Sequence, residues 1–131
     1  MNIEILTICD AAVDYGGRLS ILGAFDVIHA HRFPAVHPHC SVALRIRFEH
    51  SETGQHPFVL HIVDDDGNDI IPLLQGNIEV KMPPGFVSSA VNVVLNLQGL
   101  KLERPGWYSV NIDVDGEERS FLPLYVRRAA G

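Results

Sequence analysis

The feature that most constrains this chain is the period of its apolar residues, which is two. Val42, Leu44, Ile46 and Phe48 alternate with Arg45 and Arg47. Val91, Val93, Leu95 and Leu97 alternate with Asn92 and Asn96, and Tyr108, Val110, Ile112 and Val114 with Ser109, Asn111 and Asp113. Ile78, Val80 and Met82 form a shorter case. Successive side chains of a strand point to opposite faces, so each run makes a strand with one greasy side and one wet side. Phe58, Leu60 and Ile62 alternate with Val59, His61 and Val63, which suggests a strand covered on both faces. No long segment carries a helical period; the nearest is Cys9–Tyr15, which reads as one helical turn. Sheets with one apolar face must stack, so the fold class is all-β: an antiparallel two-sheet β-sandwich with immunoglobulin-like or jelly-roll topology.

Turn residues punctuate the runs at strand-like spacing. They are Gly16-Gly17, the stretch around Gly54, Asp65-Asp66-Gly67-Asn68, Pro83-Pro84-Gly85, Arg104-Pro105-Gly106 and Asp115-Gly116. The last, flanked by Val114 and Glu117, has the type I′ hairpin signature. The expected strands are 2–9, 18–23, 24–31, 40–49, 57–64, 69–74, 77–82, 90–102 and a hairpin of 107–114 with 118–127. The whole of 1–131 reads as one domain, because no linker, repeat or low-complexity stretch divides it. A 14.5 kDa chain buries about two-thirds of its unfolded surface, enough for a core without disulfides or metal.

Charge narrows the partners. Ten Lys and Arg against sixteen Asp and Glu give a net charge of −6, which opposes nucleic-acid binding. No apolar run approaches a membrane span. Glu4 and Asp10 interrupt the first apolar stretch, which therefore reads as a strand of a cytoplasmic protein rather than a secretory signal. Cys9 and Cys40 form no Cys-x-x-Cys and read as buried free thiols.

The closing segment runs Pro105-Gly106-Trp107-Tyr108, Val110, Ile112, Asp115-Gly116 and Leu122-Pro123-Leu124-Tyr125-Val126. It resembles the closing hairpin of immunoglobulin-like bacterial modules, where a Pro-Gly-x-Tyr turn opens the penultimate strand. With Gly17-Arg18-Leu19-Ser20-Ile21-Leu22-Gly23-Ala24-Phe25-Asp26 and Leu44-Arg45-Ile46-Arg47-Phe48, nearly the whole chain resembles an uncharacterised family of short bacterial proteins of about this length. The resemblance implies a stand-alone β-sandwich. It brings no activity, cofactor or site residue.

All seven histidines fall between positions 29 and 61. His29 and His31, and His37 and His39, are i, i+2 pairs around Phe33-Pro34. In extended chain each pair presents two imidazoles side by side. Facing pairs would suit zinc or another divalent transition metal, with Cys40 or Asp26 as a further ligand, although the gap fits no established zinc spacing. Asp64-Asp65-Asp66-Gly67-Asn68-Asp69 offers oxygen ligands for calcium. Its glycine is at the fourth loop position instead of the sixth and Gln75 stands at the twelfth, so a hairpin turn is the simpler reading. Nucleophile-elbow, phosphate-loop, dinucleotide and zinc-protease motifs are missing.

The leading expectation is therefore a non-enzymatic β-sandwich, with no cofactor, that acts through contact with its own copies or another protein. Exposed Phe33, Val36 or Phe86, an exposed part of Ile70–Leu74, or a free sheet edge would supply the contact. Arg45 and Arg47 would be solvated or meet a neighbour's carboxylates. The alternative is a ligand- or metal-binding module using the His-rich stretch 29–40. A small hydrolase comes third.

Overall fold

A computed structural model describes residues 1–130. It contains nine strands: β1 (Asn2–Tyr15), β2 (Arg18–Ala24), β3 (Val27–Ala30), β4 (Ala35–Glu49), β5 (Gly54–Asp64), β6 (Leu74–Val80), β7 (Ser88–Leu102), β8 (Gly106–Val114) and β9 (Glu117–Arg128). One turn of 3-10 helix, His50–Glu52, links β4 to β5. One sheet has the order β2-β1-β4-β7 and the other β3-β9-β8-β5-β6.

The two sheets pack through the apolar sides of the alternating runs. Val42, Leu44, Ile46 and Phe48 of β4 have no exposed surface, and neither do Leu60, Ile62, Val110, Ile112, Val114 and Leu124 opposite them. They form one cluster with Ile8, Phe58, Ile78, Val80, Tyr108 and Val126. The two-sheet sandwich is therefore as the alternation requires. Strands β1, β4 and β7 take the places of immunoglobulin strands A, B and E, and β5, β8 and β9 those of C, F and G. Of the two topologies, the order is the immunoglobulin-like one. The Tyr108 hydroxyl donates to the Arg104 carbonyl at 2.7 Å, the tyrosine corner expected where the chain crosses into strand F.

Several expectations are corrected. The sheets are not wholly antiparallel, since β3 pairs parallel to β9. Cys9–Tyr15 is no helical turn but the second half of β1; the Ala11–Tyr15 stretch pairs with β2 across the Gly16-Gly17 turn. Both glycines have φ in the left-handed region, +57° and +82°, as a two-residue hairpin turn demands. The segment 69–74 is not a strand. Only Asp69 bridges to Val63, and β6 begins at Leu74. Pro72 and the charged turn before it fit poorly in a ladder, and Leu73 is exposed. β4 begins at Ala35, so the Pro-containing stretch 29–40 is mostly strand, with a cis Phe33-Pro34 bond between β3 and β4.

One feature of the chain path positions everything on the outer side of the four-stranded sheet. Residues 2–9 of β1 pair with β4, and the chain then doubles back. The Asp14 carboxylate and the Gly17 carbonyl both accept from the Asn92 side-chain amide at 3.1 Å. Asn92 belongs to β7, two strands from β1. The β1–β2 hairpin is therefore an arm folded across the outer face. Ser41 and Ala43 of β4 lie beneath it with no exposed surface, their small side chains permitting the close approach. The Ser41 hydroxyl is satisfied by Asn96 at 2.7 Å. The whole molecule exposes 7597 Å², against about 6,900 Å² for a compact monomer of this mass.

The tyrosine corner gives a direct test. Tyr108→Phe keeps the ring in the core and removes one half-buried hydrogen bond. Urea denaturation should show a loss of about 1 kcal/mol with an unchanged slope.

Candidate functional site

The four histidines of the metal reading do not form one cluster. His29 is exposed on the edge strand β3, and His31 follows in the bend, where its carbonyl accepts from Arg128. His37 and His39 lie on β4, the first half-buried and the second exposed. The His37 ring packs at 5.6 Å from Phe25, and the two line a shallow hollow with His29, Asp10 and Gly23. His39 Nδ1 accepts from Gln98 at 2.8 Å. The structure thus brings His29 and His37 to one hollow and leaves His31 and His39 outside it. Among the described residues, only Asp64, Asp65 and Asp66 place three ligand-type atoms close enough to share an ion.

That acidic group already has a cation. Arg104 Nη2 lies 2.7 Å from Asp65 and 3.0 Å from Asp66. The Asp64 carboxylate accepts from the backbone N–H of Asp66 and Asn68 at 3.0 and 2.9 Å. The Asn68 and Asp66 N–H groups, opposed in part by desolvation, hold its pKa below the ordinary carboxylate range. Asp64 shapes the turn, and Arg104 ties the turn to the β7–β8 corner. Arg45 and Arg47 likewise find their partner within the chain, at 3.0 and 2.6 Å from the two oxygens of Glu4.

Cys9 and Cys40 are both buried and free, as the sequence suggests. Desolvation raises both thiols, Cys40 to about 11. Neither is an activated nucleophile at neutral pH.

Sequence reading gave no role to His56, and its surroundings define one. Its ring packs against Phe48 at 4.8 Å between ring centres. Nδ1 lies 2.8 Å from an Asp115 carboxylate oxygen, and Nε2 contacts the Glu52 carbonyl. Both partners only accept, so a proton on each nitrogen satisfies both. Burial of the ring opposes the charged form. The Glu52 carbonyl and the Asp115 carboxylate outweigh it and raise the affinity for the proton. The cation links the link after β4 to the β8–β9 turn. No short motif marks this site; its three contributors meet only through the fold.

Exposed apolar side chains gather on two surfaces. On the arm, Val13, Tyr15 and Leu22 share one face and are 54%, 75% and 70% exposed. Ala11, Ala12, Val13, Ser20, Ile21 and Leu22 line an almost wholly apolar hollow of about 370 Å³. β2 is the last strand of its sheet, so its outer row of N–H and C=O groups has no ladder partner. The second surface is the outer face of the five-stranded sheet, with Trp107 and Phe121 67% and 66% exposed. Phe86, Val87 and Val36 are also exposed, singly or as a pair at loop and strand ends, whereas Phe33 is half-buried beneath the Arg128 guanidinium, 5.0 Å above its ring.

A family model described as a family of unknown function (DUF6941) matches residues 4–127. The chain belongs to that family. It is the kind of family that the sequence resemblance indicated, and its match spans both sheets and the arm. No curated protein matches the sequence. Among solved structures, a β-glucosidase from Listeria innocua is similar at a TM-score of 0.54 and 11% identity, over 95% of this chain and 16% of the enzyme. An alkylpurine DNA glycosylase, AlkC, from Pseudomonas fluorescens gives 0.45 and 12%, over 96% and 30%. A β-glucuronidase of glycoside hydrolase family 2 gives 0.39 and 20%, over 70% and 11%. The first likeness is one of fold. This chain spans less than a third of the length of each of these proteins. No helix among the described residues is long and apolar enough to cross a membrane.

The His56 contacts carry a pH signature. The folded state raises this histidine above its ordinary value of 6.5, so its stabilisation is complete below about pH 6.5 and is lost as pH rises through the folded value. Denaturation midpoints measured from pH 5.5 to 8.5 should fall with rising pH. His56→Gln should flatten that part of the curve.

Proposed function

We propose that this protein is a non-enzymatic β-sandwich that acts through protein–protein contact, and that copies of it associate through the β1–β2 arm. The observation that carries the reading is the free edge of β2 beside an apolar face. Natural edge strands are usually blunted by lysine, proline, bulges or inward charges. β2 reads Arg-Leu-Ser-Ile-Leu-Gly-Ala and carries one charge, at its first residue. Two such edges can pair antiparallel about a twofold axis, each copy supplying what the other lacks. Pairing would set Leu22 of one copy beside β2 of the other and join their two apolar faces, each carrying Val13 and Tyr15, into one.

Two observations support a non-enzymatic role. The hollows of the surface are open and shallow, and among the described residues no imidazole hydrogen-bonds a serine, threonine or cysteine side chain. The sequence features of a cytoplasmic protein fit the same picture, with free thiols kept reduced. The alternative of a metal-binding module would draw on His29 and His37 alone, since His31 and His39 lie outside their hollow.

Light scattering on untagged protein tests the reading. A dimer or larger species is expected at tens of micromolar. Val13→Lys with Leu22→Lys should weaken association at least tenfold without altering the circular dichroism spectrum. A wild-type monomer at 100 µM, or a dimer indifferent to both substitutions, would reject the arm as the contact.

A further inference from the structure

The arm covers only the outer side of the four-stranded sheet, and the opposite side of the sandwich is bare. Register places Trp107 opposite Tyr125, Ser109 opposite Pro123 and Asn111 opposite Phe121. These residues face outward because Tyr108, Val110, Ile112 and Leu124 between them fill the core. Trp107 stands edge-on to Tyr125, with ring centres 5.6 Å apart at 87°. Tyr125, Pro123 and Phe121 thus continue Trp107 into an apolar strip about 14 Å long, four residues at roughly 3.4 Å each. Buried aromatic anchors dominate protein–protein contacts, and this strip presents Trp107 and Phe121, both mostly exposed, with Pro123 also exposed and Tyr125 half-buried between Trp107 and β3.

The strip has a charged flank. His61 is level with Phe121, two strands across through Asn111, and lies 3.2 Å from both Asp69 and Asp113. These three, with Asn111 and Glu118, line an open hollow of about 410 Å³. Two carboxylates share one imidazole there with Glu118 beside them, and Arg119 reaches instead the Val114 carbonyl and Glu117. At the Trp107 end of the strip stands Arg127, in the hollow beside Trp107 and Tyr125.

We propose that this face docks an extended segment of another protein, apolar or proline-rich along the strip and carrying Lys or Arg where it meets Asp69, Asp113 and Glu118. Rings on a flat sheet suit a segment whose backbone is extended, because alternate side chains then reach the strip together. The carboxylates set the sign of the charge, and Arg127 sets the direction of the segment. A second copy of this chain is disfavoured, because it brings the same carboxylates and a net charge of −6. The site lies across the sandwich from the arm and stands whether or not the arm assembles copies.

Two amidated peptides test it against isotope-labelled full-length protein by NMR: Pro-Leu-Pro-Phe-Pro-Lys-Arg, and the same sequence ending in Glu-Glu. The basic peptide should shift the Trp107 indole signal and the Asn111, Asp113 and Phe121 amides, and should bind at least tenfold more tightly than the acidic one. Trp107→Ala should weaken it at least tenfold, and so should Asp113→Asn combined with Glu118→Gln. Phe121→Ser is a second probe of the strip should Trp107→Ala disturb the fold. Raising salt from 50 to 300 mM should weaken binding severalfold. Equal binding of the two peptides, no binding of either, or shifts confined to the arm would overturn the proposal. So would loss of self-association in Trp107→Ala, which would make the face a contact between copies.

Discussion

The contact between the inner sides of β4 and β8 holds the rest of the molecule in place. Leu44, Ile46 and Phe48 of one sheet share a single cluster with Val110 and Ile112 of the other, and all five are fully buried. Each such side chain contributes about 1.5–3 kcal/mol relative to exposure, as an upper bound. These strands are far apart in sequence, so the contact closes a long loop before it is rewarded. β5 and β9 flank β8 in one sheet, and β1 and β7 flank β4 in the other. The arm, the tyrosine corner and the aromatic strip then have fixed places relative to one another.

Polar groups finish the two ends that apolar packing leaves open. At one end Arg104 does two things: its carbonyl accepts from Tyr108, and its guanidinium holds the Asp65 and Asp66 carboxylates. At the other, His56 bridges Glu52 and Asp115 against the ring of Phe48. The Arg104 ion pairs are exposed and add little net stability, whereas the His56 ring is largely buried. Their effect is geometric. They fix the turn after β5 and the turn between β8 and β9, which flank the outer face carrying Trp107 and Phe121.

Alternation made most of this architecture legible. A period of two marks each core strand, and the Asp115-Gly116 turn marks the last hairpin, with φ of +57° and +78° as its type demands. What alternation cannot show is a change of direction. Cys9–Tyr15 keeps the apolar content of a strand, but its fold-back depends on what lies beneath it: Ser41 and Ala43, small residues in an outward register that reads as ordinary surface. Ile70–Leu74 misleads for the opposite reason. It has strand composition, but Asp69 leaves the ladder after one bridge and Pro72 cannot rejoin it. The histidines show the limit most clearly. His29, His31, His37 and His39 are neighbours in sequence, yet β3 and β4 belong to different sheets. His56 and His61 find Asp115 and Asp113 across strands, beside nearer partners at Glu52 and Asp69.

The covering of one side and the bareness of the other follow from a single asymmetry. The chain spends its β1–β2 hairpin on the four-stranded sheet and has no equivalent segment for the five-stranded one. The covered sheet can therefore afford alanine and serine on its outer face, while the uncovered sheet carries side chains that must meet water or a partner. It carries both kinds: Ser109, Asn111 and Asp113 on β8 suit water, and Phe121, Pro123 and Tyr125 on β9 do not. An association of two copies through the proposed arm contact would leave both aromatic strips on the outside of the assembly. A partner with two matching segments would then gain from the second binding step being intramolecular, provided its linker spans the distance between the strips. Weak docking at each strip is consistent with such an arrangement, because its strength comes from the pair.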